Sequence, residues 1–147
     1  MPASPPLTEI SFQPFVYVVG REKIREYARA VGETNPLYHD VAAARAAGYA
    51  DLVAPPMFVV VYAAAAFEAA MSEPALQIDF AMLLHSGQEF EWGELVVAGD
   101  EVTTEIALAE DRERVGMRFV AFDSTSRNQR GARVCSGRWT VVVRPRA

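Results

Sequence analysis

The stretch VGETNPLYHD, residues 31–40, gathers several side chains that can transfer protons. It contains a carboxylate at Glu33, an amide at Asn35, a phenol at Tyr38 and an imidazole at His39. Carboxylates and imidazoles are common general acids and bases in enzymes, and a phenol also serves when it is suitably placed. The Asn–Pro pair favours a turn. From these residues alone, the stretch is either a catalytic loop or a polar turn between helices.

Helices are predicted on both sides of this loop. Before it, apolar residues recur at the spacing i, i+3, i+4, i+7 of one helical face: Ile24, Tyr27, Ala28 and Val31. Gly32 suits the end of that helix, and a short strand from Val16 to Val19 precedes it. After the loop, Asp40 is placed as the N-cap of an Ala-rich helix that stops at Gly48.

A longer helix is predicted over residues 57–71. Pro55 and Pro56 suit the start of a helix. The residues that follow are apolar on nearly all sides until Glu68, which is typical of a buried helix. The β-branched segment 58–62 is also compatible with a strand, but the length of the run and its alanines favour a helix.

The remainder of the chain, residues 76–143, predicts mostly antiparallel strands. Segments with partial period-two alternation lie at Val96–Val97, Glu101–Glu110, Met117–Ser124 and Arg133–Val143. Turn signals separate them at 98–100, around Arg112 and at 127–131, with residues 111–114 as a solvated hairpin tip. One buried helix and a long antiparallel sheet predict an α+β fold in which the sheet wraps around the helix.

Composition narrows the classes of function. The 147 residues suit a single domain over residues 1–147, and 51% of them are hydrophobic. A net charge of −5 argues against a nucleic-acid partner. Cys135 is the only cysteine and is predicted to be a small buried strand residue, which fits a reducing compartment. The first 14 residues do not resemble a signal peptide, and the apolar run 57–66 is too short to span a bilayer, so we expect a soluble cytoplasmic protein.

Four segments resemble the MaoC-like hot-dog dehydratases: GREKIREYARAVGETNPLYHD, AAARAAGYADLVAPPMFVVV, LLHSGQEFEW and VVAGDEV. They are most similar to the group that contains the mycobacterial (3R)-hydroxyacyl-ACP dehydratase subunits and uncharacterised actinobacterial relatives. The resemblance implies a hot-dog fold, with residues 21–52 as a helical overhang that carries the loop. It also implies a homodimer or a heterodimer with another hot-dog chain, acyl-CoA or acyl-ACP thioesters as substrates, and no metal or redox cofactor.

The resemblance implies an acid/base pair in the loop, with three departures from the pattern of active relatives. Glu33 replaces an aspartate, and Tyr38 stands where those relatives have histidine, with His39 one residue later. Pro55-Pro56 replaces a His-Gly pair whose glycine N–H would polarise the thioester carbonyl. Pro56 has no N–H, so the nearest replacement is the N–H of Met57 at the start of a helix.

The candidate acid/base pair is therefore Glu33 with His39, and Tyr38 is the alternative acid. Candidate substrate-binding residues are Asn35, which would shape the loop, and Pro56, Met57 and His85. His85 is either a polar residue at the start of a strand or a residue near the thioester entrance.

Two functions follow from these candidates. One is an (R)-specific 3-hydroxyacyl-thioester dehydratase, equivalently an enoyl-thioester hydratase, or a subunit of one. The other is a non-catalytic acyl-binding or stabilising subunit that pairs with a catalytic hot-dog chain. A hot-dog thioesterase is a weaker third possibility, because the carboxylates on or near the central helix are Glu68, late in it, and Glu73, just after it.

Overall fold

The computed structural model describes residues 10–146. The prediction that the first 14 residues are not a signal peptide therefore concerns a segment that lies mainly outside the described residues. The helices and strands follow in this order: β1 (Phe15–Val18), α1 (Arg21–Ala30), α2 (Val41–Ala46), α3 (Val59–Tyr62), α4 (Ala64–Met71), β2 (Leu83–Trp92), β3 (Glu101–Arg114), β4 (Met117–Arg127) and β5 (Arg133–Val143). Short 3-10 turns occupy Pro36–Tyr38, Pro56–Phe58, Pro74–Leu76 and Phe80–Met82.

The five strands form one antiparallel sheet in the order β1-β3-β4-β5-β2. The predicted strand at Val96–Val97 is wrong, because this segment contributes only an isolated antiparallel bridge between Val53 and Val97. That bridge lies between the overhang and the sheet, beside the start of the central helix. It helps to place the segment that follows Val53.

The hairpin between β3 and β4 differs from the prediction. Both strands continue past the charged residues, and the turn lies at Val115 and Gly116, which have φ values of 53° and 73°. Asp111 is not part of a solvated tip, because its carboxylate receives two hydrogen bonds from Arg118, at 2.8 and 2.7 Å. The charged run thus belongs to β3, with Asp111 paired to Arg118 of β4 and Arg112 paired to Glu110 of the same strand.

The central helix is less regular than predicted. It begins one residue early, as the 3-10 turn Pro56–Phe58, and it is interrupted at Ala63, where φ is −92° and ψ is −10°. Hydrogen bonds from Ala63 N–H to Val59 O (2.9 Å) and from Phe67 N–H to Ala63 O (3.0 Å) carry the helical path through the interruption. Three consecutive valines precede it, and β-branched residues are weaker helix formers.

The central helix packs one face against the sheet. Phe67 stacks on Trp139, with ring centroids 4.7 Å apart, and meets Phe122 edge-on at 5.7 Å. The Trp139 indole donates a 2.9 Å hydrogen bond to the Ser124 hydroxyl. The opposite face is exposed within this chain, including Met57, so the prediction of a helix buried on all sides is wrong. The α+β hot-dog architecture itself is confirmed.

Apolar residues of α1 pack the overhang against the core, and an ion pair between Arg21 and Asp51 joins its two ends. Ile24 and Ala28 of α1 are fully buried, whereas Val31, predicted on the same face, is 54% exposed. Asp40 caps α2 as predicted, accepting from Ala42 N–H at 2.8 Å. Arg21 donates two hydrogen bonds to the Asp51 carboxylate, at 2.8 and 2.7 Å.

Two smaller expectations also have outcomes. Cys135 is buried in β5, as predicted, and burial raises the pKa of its thiol to about 11. Across residues 10–146, every helix is too short or too polar to cross a membrane.

Candidate active site

The predicted loop and the start of the central helix face each other across a cavity. Its volume is about 430 Å³, and its walls are formed by Tyr27, Val31, Glu33, Pro55, Pro56 and Met57. The end of α1 and the segment after the overhang thus line the same cavity. Most of this wall is apolar, and Glu33 is the one carboxylate among these six residues.

Main-chain hydrogen bonds position the loop. The Glu33 N–H donates to Ala28 O at 2.8 Å, so the carboxylate-bearing residue is tied to the last turns of α1. The Asn35 side chain accepts from the Leu37 N–H at 3.0 Å and shapes the 3-10 turn that follows. Leu37 O in turn accepts from the Val53 N–H at 3.0 Å, which ties the loop to the segment leading to Pro55.

His39 points to the main chain of its own loop. Its Nε2 lies 2.7 Å from the carbonyl oxygen of Glu33. A carbonyl oxygen only accepts, so the imidazole donates through Nε2 and its Nδ1 is the remaining acceptor in the neutral ring. The Arg25 guanidinium donates to the carbonyl of His39 at 2.9 Å. His39 is not among the described residues that line the cavity.

Two tyrosines lie near the Glu33 carboxylate. Burial raises the pKa of the Tyr38 phenol, and the charge of Glu33 raises it further. The Tyr38 phenol therefore holds its proton more tightly than an ordinary phenol does, and its ring packs against the core. The pKa of Tyr27 is raised by the same two causes, in the same order.

Tyr27 was not among the candidates from the sequence. Helical periodicity placed it on the apolar face of α1, where its ring indeed contacts Phe58 edge-on, with centroids 5.6 Å apart. It is only half-buried and also lines the cavity with Glu33. Its position six residues before Glu33, just under two helical turns, is the only sequence signal for this proximity.

Met57 lines the cavity and carries a main-chain N–H near the start of the central helix. It is the second residue of the Pro56–Phe58 turn, whose hydrogen bond runs from Phe58 N–H to Pro55 O at 2.8 Å. The first N–H groups of a helix lack partners within it. No hydrogen bond within residues 10–146 uses the Met57 N–H as donor. The positive end of the helix dipole adds to the preference for negative charge here.

His85 lies elsewhere in the fold. It is an exposed residue near the start of the edge strand β2, opposite Val141 of β5, just before a register irregularity. Among the described residues, His85 does not line the cavity that Glu33 and Met57 share. In that same part of the chain, no three His, Cys, Asp or Glu side chains are arranged to hold a metal ion.

Comparison with known sequences identifies the group. A sequence model of the family described as "FAS1-like, dehydratase domain region" matches residues 8–136. The UPF0336 protein of Clavibacter michiganensis subsp. michiganensis is 43% identical over 128 residues, which cover 87% of this chain and 86% of that protein.

Comparison with solved structures gives the same result. A MaoC-like dehydratase is 31% identical with a TM-score of 0.80, over 95% of this chain and 43% of that one, so this chain spans under half of its length. The C-terminally truncated HadBC complex of Mycobacterium tuberculosis, named as a 3R-hydroxyacyl-ACP dehydratase, is 29% identical with a TM-score of 0.76. That alignment covers 90% of this chain and 93% of the other.

The fold and cavity thus define a hot-dog protein similar to the MaoC-like dehydratases, which confirms the resemblance inferred from the sequence. The chain belongs to the FAS1-like dehydratase-region family. Its similarity to a UPF0336 protein confirms the predicted likeness to actinobacterial relatives.

Proposed function

We propose that this protein is an (R)-specific 3-hydroxyacyl-thioester dehydratase, which in reverse is an enoyl-thioester hydratase, or a subunit of one. The observation that carries the proposal is the shared cavity of the Glu33 carboxylate and Met57. One supplies a proton-transfer group, and the other brings an N–H without a partner among the described residues. The name of the HadBC relative supports the choice of reaction.

The chemistry needs both groups on one substrate. A base removes the proton from C2 of the acyl group, and negative charge then develops on the thioester oxygen. Glu33 is the proposed base. The Met57 N–H, at the positive end of a helix, is the proposed donor to that oxygen. Because Pro56 has no N–H, this site offers one donor fewer than a glycine there would provide.

The second proton-transfer group is less clearly placed. His39, the partner of Glu33 proposed from the sequence, would have to leave the Glu33 carbonyl to reach the cavity. Tyr38, the alternative acid, packs against the core. Both remain proposals. Asn35 shapes the loop, Pro56 and Met57 contact the acyl thioester, and His85 is proposed for its entrance.

The proposed substrates are acyl thioesters of CoA or acyl carrier protein. The apolar side chains of Val31, Pro56 and Met57 suit an acyl group beside Glu33. The protein is proposed to form a dimer with itself or with another hot-dog chain. A cytoplasmic location is also proposed, and the single buried cysteine supports it.

A second candidate function is a non-catalytic subunit that binds acyl groups or stabilises a catalytic hot-dog partner. The observation that favours it is the position of His39. Its imidazole is engaged with the loop backbone rather than exposed on the cavity wall, within the described residues. Pro56, which removes one oxyanion donor, points in the same direction.

One experiment separates the two candidates. The full chain is purified, and hydration of crotonyl-CoA and of a longer trans-2-enoyl-CoA is followed by loss of enoyl absorbance. Glu33→Gln and Glu73→Gln are measured beside it. Glu73 is a matched control, because it caps the distant Pro74–Leu76 turn. Turnover that falls on the order of a hundredfold or more only in Glu33→Gln supports the dehydratase. A folded chain that binds acyl-CoA without turnover supports the subunit.

A further inference from the structure

Tyr27 combines a packed ring with a place on the cavity wall. Its ring meets the fully buried Phe58 edge-on at an interplanar angle of 86°, which restrains its orientation. The residue is half-buried and lines the same cavity as Glu33 and Met57. No hydrogen bond in residues 10–146 involves its hydroxyl group as donor or acceptor.

Tyr27 and Glu33 are also electrostatically coupled. Burial raises the pKa of the Tyr27 phenol above its ordinary value of 10.0, and the Glu33 charge raises it further. The phenol therefore keeps its proton at neutral pH. A phenol that is protonated at neutral pH can donate its proton to a departing hydroxide.

We propose that Tyr27 donates the proton to the 3-hydroxyl group of the substrate as water leaves, while Glu33 removes the proton from C2. This assignment rests on the proposed dehydratase function. It replaces His39 and Tyr38 as the acid. Of these three residues, Tyr27 is the one found on the cavity wall in the described part of the chain.

The steps balance without a cofactor. The C2–H bond breaks, its proton passes to the Glu33 carboxylate, and its electron pair forms the C2–C3 double bond. The C3–O bond breaks, and the departing oxygen takes the Tyr27 proton and leaves as water. Glu33 then returns its proton to the Tyr27 phenolate, which restores both groups. Hydration follows the same steps in reverse.

The alternatives are weaker on geometry. The Nε2 proton of His39 is already donated to the Glu33 carbonyl. Within residues 10–146, Tyr38 does not line this cavity. An acid must be within hydrogen-bond reach of the group that it protonates. Tyr27 lies on the cavity wall, so it would meet this requirement when a ligand in the cavity places its 3-hydroxyl group beside the phenol.

The test uses two matched phenols. Tyr17 also packs edge-on against Phe58, with centroids 6.3 Å apart, and burial raises its pKa too. In the described structure it is not part of the cavity wall. Tyr27→Phe and Tyr17→Phe in the full chain each remove one oxygen atom. Thermal unfolding verifies that both variants fold.

Two readouts are measured. The first is turnover of (3R)-3-hydroxybutyryl-CoA, with kcat and KM separated. The second is binding in a Glu33→Gln background, as the affinity for (3R)-3-hydroxybutyryl-CoA relative to butyryl-CoA, which lacks the hydroxyl group. We expect Tyr27→Phe to lower kcat on the order of a hundredfold with little change in KM. It should also reduce the preference for the hydroxylated ligand roughly three- to tenfold. Tyr17→Phe should leave both unchanged.

The outcomes are distinct. If Tyr27→Phe behaves like Tyr17→Phe in both readouts, or if Tyr38→Phe alone loses turnover, the proposal for Tyr27 is overturned. If the parent chain does not turn over but its hydroxyl preference still depends on Tyr27, the dehydratase function fails and the Tyr27 contact stands. If the parent shows neither turnover nor a preference for the hydroxyl group, both proposals fail.

Discussion

The imidazole of His39 is hydrogen-bonded to the main-chain carbonyl of Glu33, with 2.7 Å between Nε2 and O. A histidine that flanks a candidate catalytic carboxylate thus contacts its backbone. This contact closes the loop between α1 and α2, and Arg25 reinforces it by donating to the carbonyl of His39. His39 therefore has a clear role in placing Glu33, apart from any role in proton transfer.

The first prediction separates these two roles of His39. His39→Gln keeps an N–H donor for the Glu33 carbonyl but cannot transfer a proton, whereas His39→Ala removes both. If His39 mainly positions the loop, His39→Gln should retain most of the hydration rate and His39→Ala should lose on the order of a hundredfold through misplacement of Glu33. Equal and large losses in both variants would instead make His39 a proton-transfer residue.

A second prediction concerns the tautomer of His39. Since Nε2 faces a carbonyl oxygen, the neutral ring should carry its proton on Nε2. Two-bond ¹H–¹⁵N correlation spectra of the full chain distinguish the two ring nitrogens. An Nδ1-protonated neutral ring would show that the contact with Glu33 is not formed in solution.

The third prediction is a pH dependence of stability from Asp51. The hydrogen-bonded Arg21 holds the pKa of Asp51 at about 2, below its ordinary 3.8. A depressed carboxyl pKa stabilises the folded state above the unfolded value, and this stability is lost as pH falls through the folded value. In urea unfolding, the free energy of unfolding of the parent should therefore exceed that of Asp51→Asn by a constant amount above about pH 4. That difference should shrink between about pH 4 and 2.

The control for this prediction is the double-mutant cycle of Arg21→Ala, Asp51→Asn and the double variant, which isolates the coupling of the two partners. A difference between the parent and Asp51→Asn that stays constant down to pH 2.5 would show that the ion pair does not shift this carboxyl group.

A fourth prediction compares Gly87, within β2, with Gly93, directly after it. A Cβ at Gly93 would overlap the carbonyl oxygen of Arg133 and lie 2.8 Å from its carbonyl carbon, so backbone would have to move. At Gly87 the nearest atom would be Thr140 Cβ, at an ordinary 3.7 Å. Gly93→Ala should cost about 1–3 kcal/mol in the free energy of unfolding, and Gly87→Ala should change it by less than about 1 kcal/mol. Equal effects in urea unfolding would contradict the close approach.

The fifth prediction concerns Cys135. Its side chain is 1% exposed, and burial raises its pKa to about 11, so thiolate is scarce near neutral pH. A thiol reagent such as DTNB should label the native protein at least on the order of a hundredfold more slowly than the unfolded chain. Comparable rates would mean that the β5 region opens readily.

Local signals in the sequence predicted much of the fold. Asp40 could be assigned as an N-cap because its side chain accepts hydrogen bonds from N–H groups only two and three residues later. The helix ends at Gly32 and Gly48 were also predicted from local sequence, and both glycines have positive φ. The pattern of one helix and a long antiparallel sheet predicted that the sheet wraps around the helix, and the hot-dog resemblance implied the same arrangement.

The features that were missed depend on contacts between distant residues. Arg118 pairs with Asp111 across two strands, so a charged run that suggested a turn is part of the sheet. Tyr27 has an apolar ring on the core and also lines the cavity, and helical periodicity records only the first property. The engagement of His39 with Glu33 O depends on how the loop closes, which residue spacing does not reveal.

The most direct measurement for the whole account is hydration of crotonyl-CoA by the purified full chain, with the configuration of the product determined by chiral chromatography. The account predicts turnover to (3R)-3-hydroxybutyryl-CoA that is lost when Glu33 is replaced by Gln. A folded chain that produces no hydroxyacyl product, or turnover that survives Glu33→Gln, would contradict the assignment of Glu33 as the catalytic carboxylate.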